Sequence, residues 1–188
     1  MNRSAETQTC FSGNESLHTL ERIVIIGCPG SGKSTLAREL GDKLNLTVVH
    51  LDRLWWTKGW ENVTREEFDA RLDNALQLDS WIIDGNYSRT MDVRLARCDT
   101  IIYLDYSRWT CLWGVFRRAV LQRGRIRPDM AEGCPERLDW ELVKYVWNYN
   151  KNNRLQNETR IAKSKHARAI VLKNRKEKQF FLENLRSL

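Results

Sequence analysis

A glycine-rich segment near the start of the chain has the composition of a phosphate-binding loop. Residues 27–34 read GCPGSGKS and match the pattern G-x-x-x-x-G-K-S/T at every fixed position. Glycines let the backbone N–H groups of such a loop converge on phosphates at the positive end of the following helix. Lys33 is expected to reach the outer phosphates, and the Ser34 hydroxyl to bind Mg²⁺. The residues expected to hold ATP are Gly27, Gly30, Ser31, Gly32, Lys33, Ser34 and Thr35.

Two acidic residues follow predicted strands, at the end of a parallel sheet where loops line the ligand crevice. Asp84 closes an apolar run and precedes Gly85, and we expect it to act on Mg²⁺ through a water molecule. Asp52 lies just past another apolar run. Its carboxylate would repel a phosphate but can accept a proton from an acceptor hydroxyl or orient it, which predicts a catalytic, substrate-binding residue. The alternative is a helix cap or an ion pair with Arg53.

Tryptophans follow Asp52 closely in the sequence. Trp55, Trp56 and Trp60 lie within nine residues of it, and together they offer enough flat apolar surface to stack on a base or a sugar face. We therefore expect Trp60 to contact the substrate. Packing in the core beneath a flap is an alternative that the sequence leaves open.

An arginine-rich stretch at residues 107–128 holds six arginines and no acid. A glycine and a proline near its end indicate a hinged flap, which can bring positive charge to a phosphoryl group during transfer. We expect Arg118 and Arg123 to be catalytic and Arg127 to contact ATP, the alternative being a solvated helix face. A second basic stretch, residues 163–178, either approaches the adenine or is ordinary surface.

Five short apolar runs predict the strands that must position these side chains. None alternates cleanly between polar and apolar residues, as expected when both faces of a sheet are covered. Helical patterns separate the runs, which implies right-handed crossovers and a parallel three-layer α/β fold. The predicted strands are Arg22–Ile26, Thr47–His50, Trp81–Ile83, Thr100–Leu104 and Ala169–Leu172.

The predicted helices carry recognisable start signals. Thr64 opens a capping box, and Ser107 can cap the helix that carries the arginines. Further helices are predicted from Lys33 to Leu44, from Pro135 past Trp147 and from about Lys176 to Leu185. The helix after Ser107 has an apolar stripe that is predicted to lie in the core, formed by Trp109, Leu112, Trp113, Phe116 and Val120.

With these motifs the sequence resembles the adenylate-kinase-like P-loop kinases, and most closely the small bacterial proteins described as DNA topology modulation proteins. The resemblance covers residues 22 to about 185 and rests on Gly27–Thr35, His50–Trp56 with Gly59-Trp60, Trp81–Tyr87 and Arg117–Asp129. It implies a P-loop nucleoside triphosphate hydrolase fold with a five-stranded parallel sheet, an acceptor-binding segment after the second strand, and a helical lid at about residues 117–137. Residues 21–188 would then form the kinase domain and residues 1–20 a flexible tail.

One element departs from the family pattern. The resemblance implies an Asp-Gly-x-Pro-Arg element, whereas Asp84-Gly85-Asn86-Tyr87-Ser88-Arg89 lacks the proline and has its arginine one residue later. The resemblance makes Arg89 a candidate ligand for an acceptor phosphate, but its shifted position does not match the pattern. The alternative is a solvated surface arginine.

Composition excludes several classes of protein. The 188 residues fit one domain, and the net charge of +7 is concentrated in the two basic stretches. No apolar run approaches the roughly 18 residues of a membrane helix, and no Cys-x-x-Cys pair indicates a zinc site, so we expect a cytoplasmic protein with no membrane association. The Asn-Lys-x-Asp element of guanine-specific switches is missing, which disfavours a GTPase. The loop does not match the dinucleotide fingerprint, so a nicotinamide or flavin site is not supported. Large AAA-type ATPases are disfavoured because they are longer than 188 residues.

The expected function is therefore ATP- and Mg²⁺-dependent phosphate transfer to a nucleoside, a nucleotide or a related small metabolite. The rival prediction is a nucleic-acid-binding regulator, in which the basic surfaces hold DNA or RNA while ATP acts as a switch. It is less favoured, because the cations cluster where a lid is expected and no helix-turn-helix, zinc finger or RNA-binding signature occurs.

Overall fold

The centre of the fold is a parallel sheet of five strands in the order β2-β5-β1-β6-β7, seen in a computed structural model that describes residues 20–136 and 139–185. The flexible tail predicted for residues 1–20 lies outside the described residues except for its last position. The sheet confirms the predicted fold class. Its strands are β1 (Arg22–Gly27), β2 (Val48–His50), β5 (Trp81–Asp84), β6 (Thr100–Leu104) and β7 (Arg168–Leu172).

Helices cover the sheet and connect its strands. Thr64 and Ser107 cap the helices that follow them, accepting hydrogen bonds from the backbone N–H groups of Glu67 and Thr110 at 3.1 and 3.3 Å. The helices are α1 (Lys33–Leu44), α2 (Leu51–Trp55), α3 (Arg65–Leu76), α4 (Met91–Arg97), α5 (Arg108–Leu121), α6 (Trp140–Lys163) and α7 (Arg175–Glu183).

Both faces of the central strands β1, β5 and β6 are buried, which is why these strands are continuously apolar in sequence. The edge strand β7 has one exposed face, which carries Ala169 and Val171. Along β1, Ile23 and Ile25 pack on one face with residues of α1, α5 and α7. Val24 and Ile26 pack on the other face with residues of α3 and α4. Successive side chains of a strand point to opposite faces, so one short run supplies two cores.

The prediction for the apolar stripe of α5 was wrong. Trp109, Trp113, Phe116 and Val120 are 53% to 67% exposed. The buried face of this helix carries the smaller residues Cys111, Val115 and Ala119, and Leu112 is half-buried between the two faces. The helix approaches the glycine loop so closely that only small side chains fit between them, and this contact fixes which face turns inward.

Two connections differ from the predicted elements. Strands β3 (Trp56–Thr57) and β4 (Glu61–Asn62) pair as a short antiparallel hairpin beyond α2. The lid segment leaves α5 and folds back on itself through bridges that pair Arg123 with Glu136 and Ile126 with Pro135. Because of this fold-back, the next helix begins at Trp140 and not at Pro135. In the described parts of the chain, no helix has the length and apolarity needed to span a membrane.

Candidate active site

A cavity of about 870 Å³ opens at the carboxyl ends of the strands. Its wall includes the glycine loop after β1, Asp52 after β2, Asp84 at the end of β5 and residues of α5 and α7. A crevice at this end of an open parallel sheet is the usual position of a ligand site. The cavity brings together most of the residues that the sequence marked for chemistry.

The glycine loop is shaped by one close contact and one special backbone conformation. A Cβ atom on Gly30 would lie 2.2 Å from the Cys111 carbonyl oxygen of α5, so only glycine fits there. Gly32 precedes the first residue of α1 with a φ angle of 95°, a left-handed conformation that favours glycine. Lys33 Nζ donates to the Cys28 carbonyl at 3.2 Å. The loop therefore ends at the amino terminus of a 12-residue helix, the geometry expected for phosphate binding.

Asp84 and His50 form a buried pair beside the loop. They end the neighbouring strands β5 and β2 in register, and His50 Nδ1 lies 3.0 Å from Asp84 Oδ2. The other carboxylate oxygen, Oδ1, is buried and has no hydrogen-bond partner among the described residues. A hard oxygen ligand of this kind, together with the Ser34 hydroxyl in the same cavity wall, suits Mg²⁺.

Asp52 lies in the cavity wall and is held by Tyr87. The Tyr87 hydroxyl donates to Asp52 Oδ1 at 2.9 Å, so the described contacts favour neither the predicted cap nor the pair with Arg53. Burial raises the pKa of the Asp52 carboxyl, and the hydrogen bond from Tyr87 acts in the opposite direction. Burial also raises the pKa of the Tyr87 hydroxyl, which therefore acts as a neutral donor. The Asp52 carboxylate is thus held by a hydrogen bond in the cavity wall, where a carboxylate could accept a proton.

The three tryptophans divide between the two alternatives that the sequence left open. Trp55 packs inside, with its ring centroid 5.5 Å from that of Phe68. Trp56 and Trp60 line the cavity, and their rings meet edge to face with centroids 5.5 Å apart. The hairpin turn holds Trp60 at a φ angle of 66°, an uncommon conformation for a side chain of this size.

Two arginines of the lid segment that line the cavity, Arg118 and Arg127, are paired with buried acids. Arg118 Nε lies 2.9 Å from Glu136, and Arg127 lies 2.8 Å from Glu136 and 2.7 Å from Asp129. Burial alone would raise the pKa of Asp129, but Arg127 beside it brings this pKa below the usual value. The carboxylates of Glu136 and Asp129 therefore hold the guanidinium groups of Arg118 and Arg127 in the cavity wall.

Two predicted site residues lie elsewhere. Arg123 is exposed, and within residues 20–136 and 139–185 it does not line the cavity. Arg89 also lies outside the cavity wall, and its guanidinium makes two hydrogen bonds to Asp69, at 2.8 and 2.5 Å. A catalytic role for Arg123 and acceptor binding by Arg89 remain predictions. The position of each residue does not favour its predicted role.

The end of the cavity away from Asp52 is lined by part of the second basic stretch, residues 163–178. Arg175 and Lys178 of α7 line it together with Arg38 of α1, and Lys178 Nζ lies 2.8 Å from Glu39. Arg175 and Lys178 follow β7, which is the edge strand of the sheet opposite β2. The cavity therefore has a basic end beside β7 and an end beside β2 that contains Asp52.

Sequence reasoning missed four residues of the site. His50 could have been found from strand register, since it ends the strand beside that of Asp84. Tyr87 and Glu136 gave no local signal, because their partners lie 35 and 18 positions away and only the fold joins them. Asp129 is two residues from its partner Arg127, and this short spacing was the signal that could have found it.

Comparisons with known proteins agree with this architecture. A family model described as an AAA domain matches residues 23–107, which include the loop, Asp52 and Asp84. The solved structure of shikimate kinase from Acinetobacter baumannii in complex with shikimate has a TM-score of 0.53 at 13% identity, covering 90% of this chain and 92% of that one. Shikimate kinase from Bacteroides thetaiotaomicron has a TM-score of 0.51 at 18% identity, covering 89% and 97%.

A curated protein, Threonine synthase-like 1 of Mus musculus, is 38% identical over 63 residues. That match covers 34% of this chain and 8% of the mouse protein. The parallel sheet and the loop that matches G-x-x-x-x-G-K-S/T together give this chain the fold of the P-loop proteins. The nearer resemblance to DNA topology modulation proteins stays a prediction.

Proposed function

We propose that the protein is an ATP-dependent phosphotransferase that phosphorylates a hydroxyl group of a nucleoside, a nucleotide or a related small metabolite. The observation that carries this proposal is the shared cavity. A complete phosphate loop, a proton acceptor and two lid arginines line one space of about 870 Å³, large enough for two small ligands side by side.

The loop accounts for the donor. Its backbone and Lys33 would cradle the phosphates of ATP at the start of α1, and the basic end beside β7 would face the nucleoside. Ser34 and Asp84 would hold Mg²⁺, which would neutralise phosphate charge when bound. Asp84 is kept in position by His50, and its free oxygen Oδ1 is the atom that suits the ion.

Asp52 accounts for the acceptor. Its carboxylate would accept a hydrogen bond from the acceptor hydroxyl and take its proton as that oxygen attacks the terminal phosphorus of ATP. The bond from this phosphorus to the bridging oxygen would break, and ADP would leave with that oxygen. Tyr87 holds the carboxylate in place without neutralising it, because the phenol is a neutral donor. Arg118 and Arg127 would stabilise the charge that spreads over the phosphoryl oxygens, and the lid would keep water from the same phosphorus.

The proposal is tested by measuring ADP release across nucleosides, nucleoside monophosphates and hydroxylated metabolites. We expect acceptor-dependent turnover in the wild type and its loss in Lys33→Ala, with an unchanged circular dichroism spectrum. The matched control is Lys43→Ala, which removes an exposed lysine at the other end of the same helix. Retention of more than about a tenth of turnover in Lys33→Ala, a loss below ~1.4 kcal/mol of transition-state stabilisation, would contradict the role of the loop.

A further inference from the structure

The acceptor end of the cavity lies beyond β2, the edge strand of the sheet. Asp52 on α2, Trp56 and Trp60 of the hairpin and Tyr87 after β5 line this end. What they offer a ligand is one carboxylate, one phenol and two aromatic rings. The charge of an acceptor that fits here depends on whether any cation is available to oppose the carboxylate.

The carboxylate itself forms no ion pair with the protein. Among residues 20–136 and 139–185, Asp52 has a hydrogen bond from the neutral Tyr87 hydroxyl, and the positive charges of Arg127 and Lys33 act on it only from beyond ion-pair distance. An acceptor anion placed beside Asp52 would therefore meet a carboxylate that no cation contacts, in a partly dehydrated wall.

The lid arginines nearest this end already have partners. Glu136 bridges Arg118 and Arg127, and Asp129 forms a second ion pair with Arg127. Glu136 is 4% exposed and Asp129 7% exposed, so water cannot replace them as partners of the arginines. The two arginines assigned above to the transferring phosphoryl group are thus each held by an acid, and neither is an unpaired cation for an acceptor anion.

The arginines that follow β5 are not available either. Arg94 is fully buried and donates to the backbone carbonyls of Gly85 and Asn86, so it holds the loop that carries Tyr87. Arg89 is paired with Asp69 outside the cavity wall.

The remaining cations of the wall belong to the donor half. Lys33 lies in the phosphate loop and donates to its own backbone at Cys28. Arg117 belongs to α5, which follows β6 on the side of β1 away from β2. Neither lies on the segments that surround Asp52.

Aromatic rings beside an unpaired carboxylate form a combination that attracts cations. Trp56 and Trp60 stand edge to face in the same wall as Asp52, and indole is the aromatic ring that binds cations best. The same rings can cover the apolar face of a neutral sugar. Neither the faces of the rings nor the carboxylate offers a favourable contact to a carboxylate or a phosphate.

We infer that the acceptor is a hydroxylated compound with no anionic group beside its reacting hydroxyl, and that an amino alcohol or amino sugar binds better than the neutral analogue. This inference rests on the proposed function and narrows it, since it excludes nucleotides as acceptors. Two like charges about 5 Å apart at a protein surface correspond to a loss of affinity of about 10²-fold for an anionic analogue. An added cation near the indoles should improve affinity by up to about tenfold.

The test uses matched compounds that differ only in charge. Binding to the full chain, loaded with a non-hydrolysable ATP analogue and Mg²⁺, is measured by calorimetry for glucosamine, glucose and glucuronate, and for serinol, glycerol and glycerate. ADP release with ATP is measured for the same six compounds. We expect the amine to bind best, the neutral compound next and the acid about 10²-fold more weakly than the neutral one.

Asp52→Asn supplies the internal check. It should bring the acid to within about threefold of the neutral compound, whereas Asp73→Asn, which removes an exposed carboxylate of α3, should leave the wild-type order unchanged. Thermal denaturation shows whether Asp52→Asn is folded, and if it is not, the wild-type order alone decides. An acid that binds as well as its neutral analogue, or no binding by any of the six compounds, overturns the inference. Ordered binding without ADP release instead supports the inference and counts against phosphotransfer to these compounds.

Discussion

Replacing Gly114 of α5 by alanine tests whether this helix controls the phosphate loop. A Cβ atom at position 114 would lie 2.1 Å from the Gly30 carbonyl oxygen and 3.1 Å from its Cα. The obstacle is backbone on both sides, so the clash is relieved only if the loop and the helix separate. Gly114 lies outside the loop motif, and its sequence context gives no reason to expect an effect on nucleotide binding.

Two effects of opposite sign set the magnitude. Alanine stabilises a helix interior by about 1 kcal/mol relative to glycine. Overpacking a close contact costs about 1–3 kcal/mol. We therefore expect a net loss of up to about 2 kcal/mol in the free energy of unfolding. A displaced Gly30 can no longer direct the loop at the phosphates, and we expect ATP to bind at least about tenfold more weakly, a difference of ~1.4 kcal/mol.

Urea denaturation and ATP titration measure the two quantities separately. Gly41→Ala is the matched control, because Gly41 is also a buried glycine within a helix and its Cβ would lie 2.4 Å from Val48 Cγ2, far from the loop. That variant is expected to lose stability but keep its ATP affinity. A Gly114→Ala protein that is more stable than the wild type and binds ATP equally well would refute the reasoning. Such a result would mean that the contact between Gly114 and Gly30 is not tight and that helix propensity outweighs it.

Three further predictions concern the lid and the proton acceptor. Arg118→Ala should lower kcat at least ~10²-fold and Arg123→Ala less than about threefold in steady-state kinetics, and equal losses would contradict their different positions. Because burial raises the pKa of Asp52, kcat should fall as the pH drops through that pKa and the base takes up a proton. Asp52→Asn should lower kcat about 10²- to 10⁴-fold and remove this acid limb, whereas a limb that persists would belong to another group. Glu136→Ala leaves Arg118 without its buried partner and Arg127 with Asp129 alone, and should cost on the order of 3 kcal/mol in urea denaturation. A loss below ~1 kcal/mol would show that the pairs contribute little.

The parts of the molecule that the sequence predicted are those governed by local chemistry. The glycine loop and the strand before it are contiguous, so their pattern is complete within about a dozen residues. The five strands were recognised because their apolar runs are too short for helices, and the central strands β1, β5 and β6 are buried on both faces. Asp52 and Asp84 followed from the rule that ligands gather at the carboxyl ends of parallel strands.

The orientation of α5 could not be predicted in this way. A helical stripe of large apolar residues shows which face is apolar, and it implies burial only if another element covers that face. Here the tightest neighbour is the loop backbone at Gly30, which admits only small side chains. The helix therefore turns Gly114 and Val115 inward, and Trp109 and Trp113 stay exposed.

The ion pairs of the lid also could not be predicted from the sequence. Six arginines without an acid in residues 107–128 indicated a cationic flap. The acids that balance it, Asp129 and Glu136, come just after that window, and Glu136 reaches Arg118 only because the segment folds back on itself. Local composition therefore gave the sign of the charge but not its compensation.

The position of Arg118 explains why loop and lid should respond together. Gly114 contacts Gly30 of the loop, and Arg118 follows four residues later on the same helix, about one turn or ~6 Å along its axis. An α-helix transmits a displacement over one turn almost rigidly, because each backbone hydrogen bond joins residues four apart. A change at Gly30 must therefore shift the guanidinium of Arg118 relative to the phosphates, as well as the loop itself. Loss of loop geometry should thus reduce transition-state stabilisation together with ATP affinity, and the two cannot be separated by moving the loop alone.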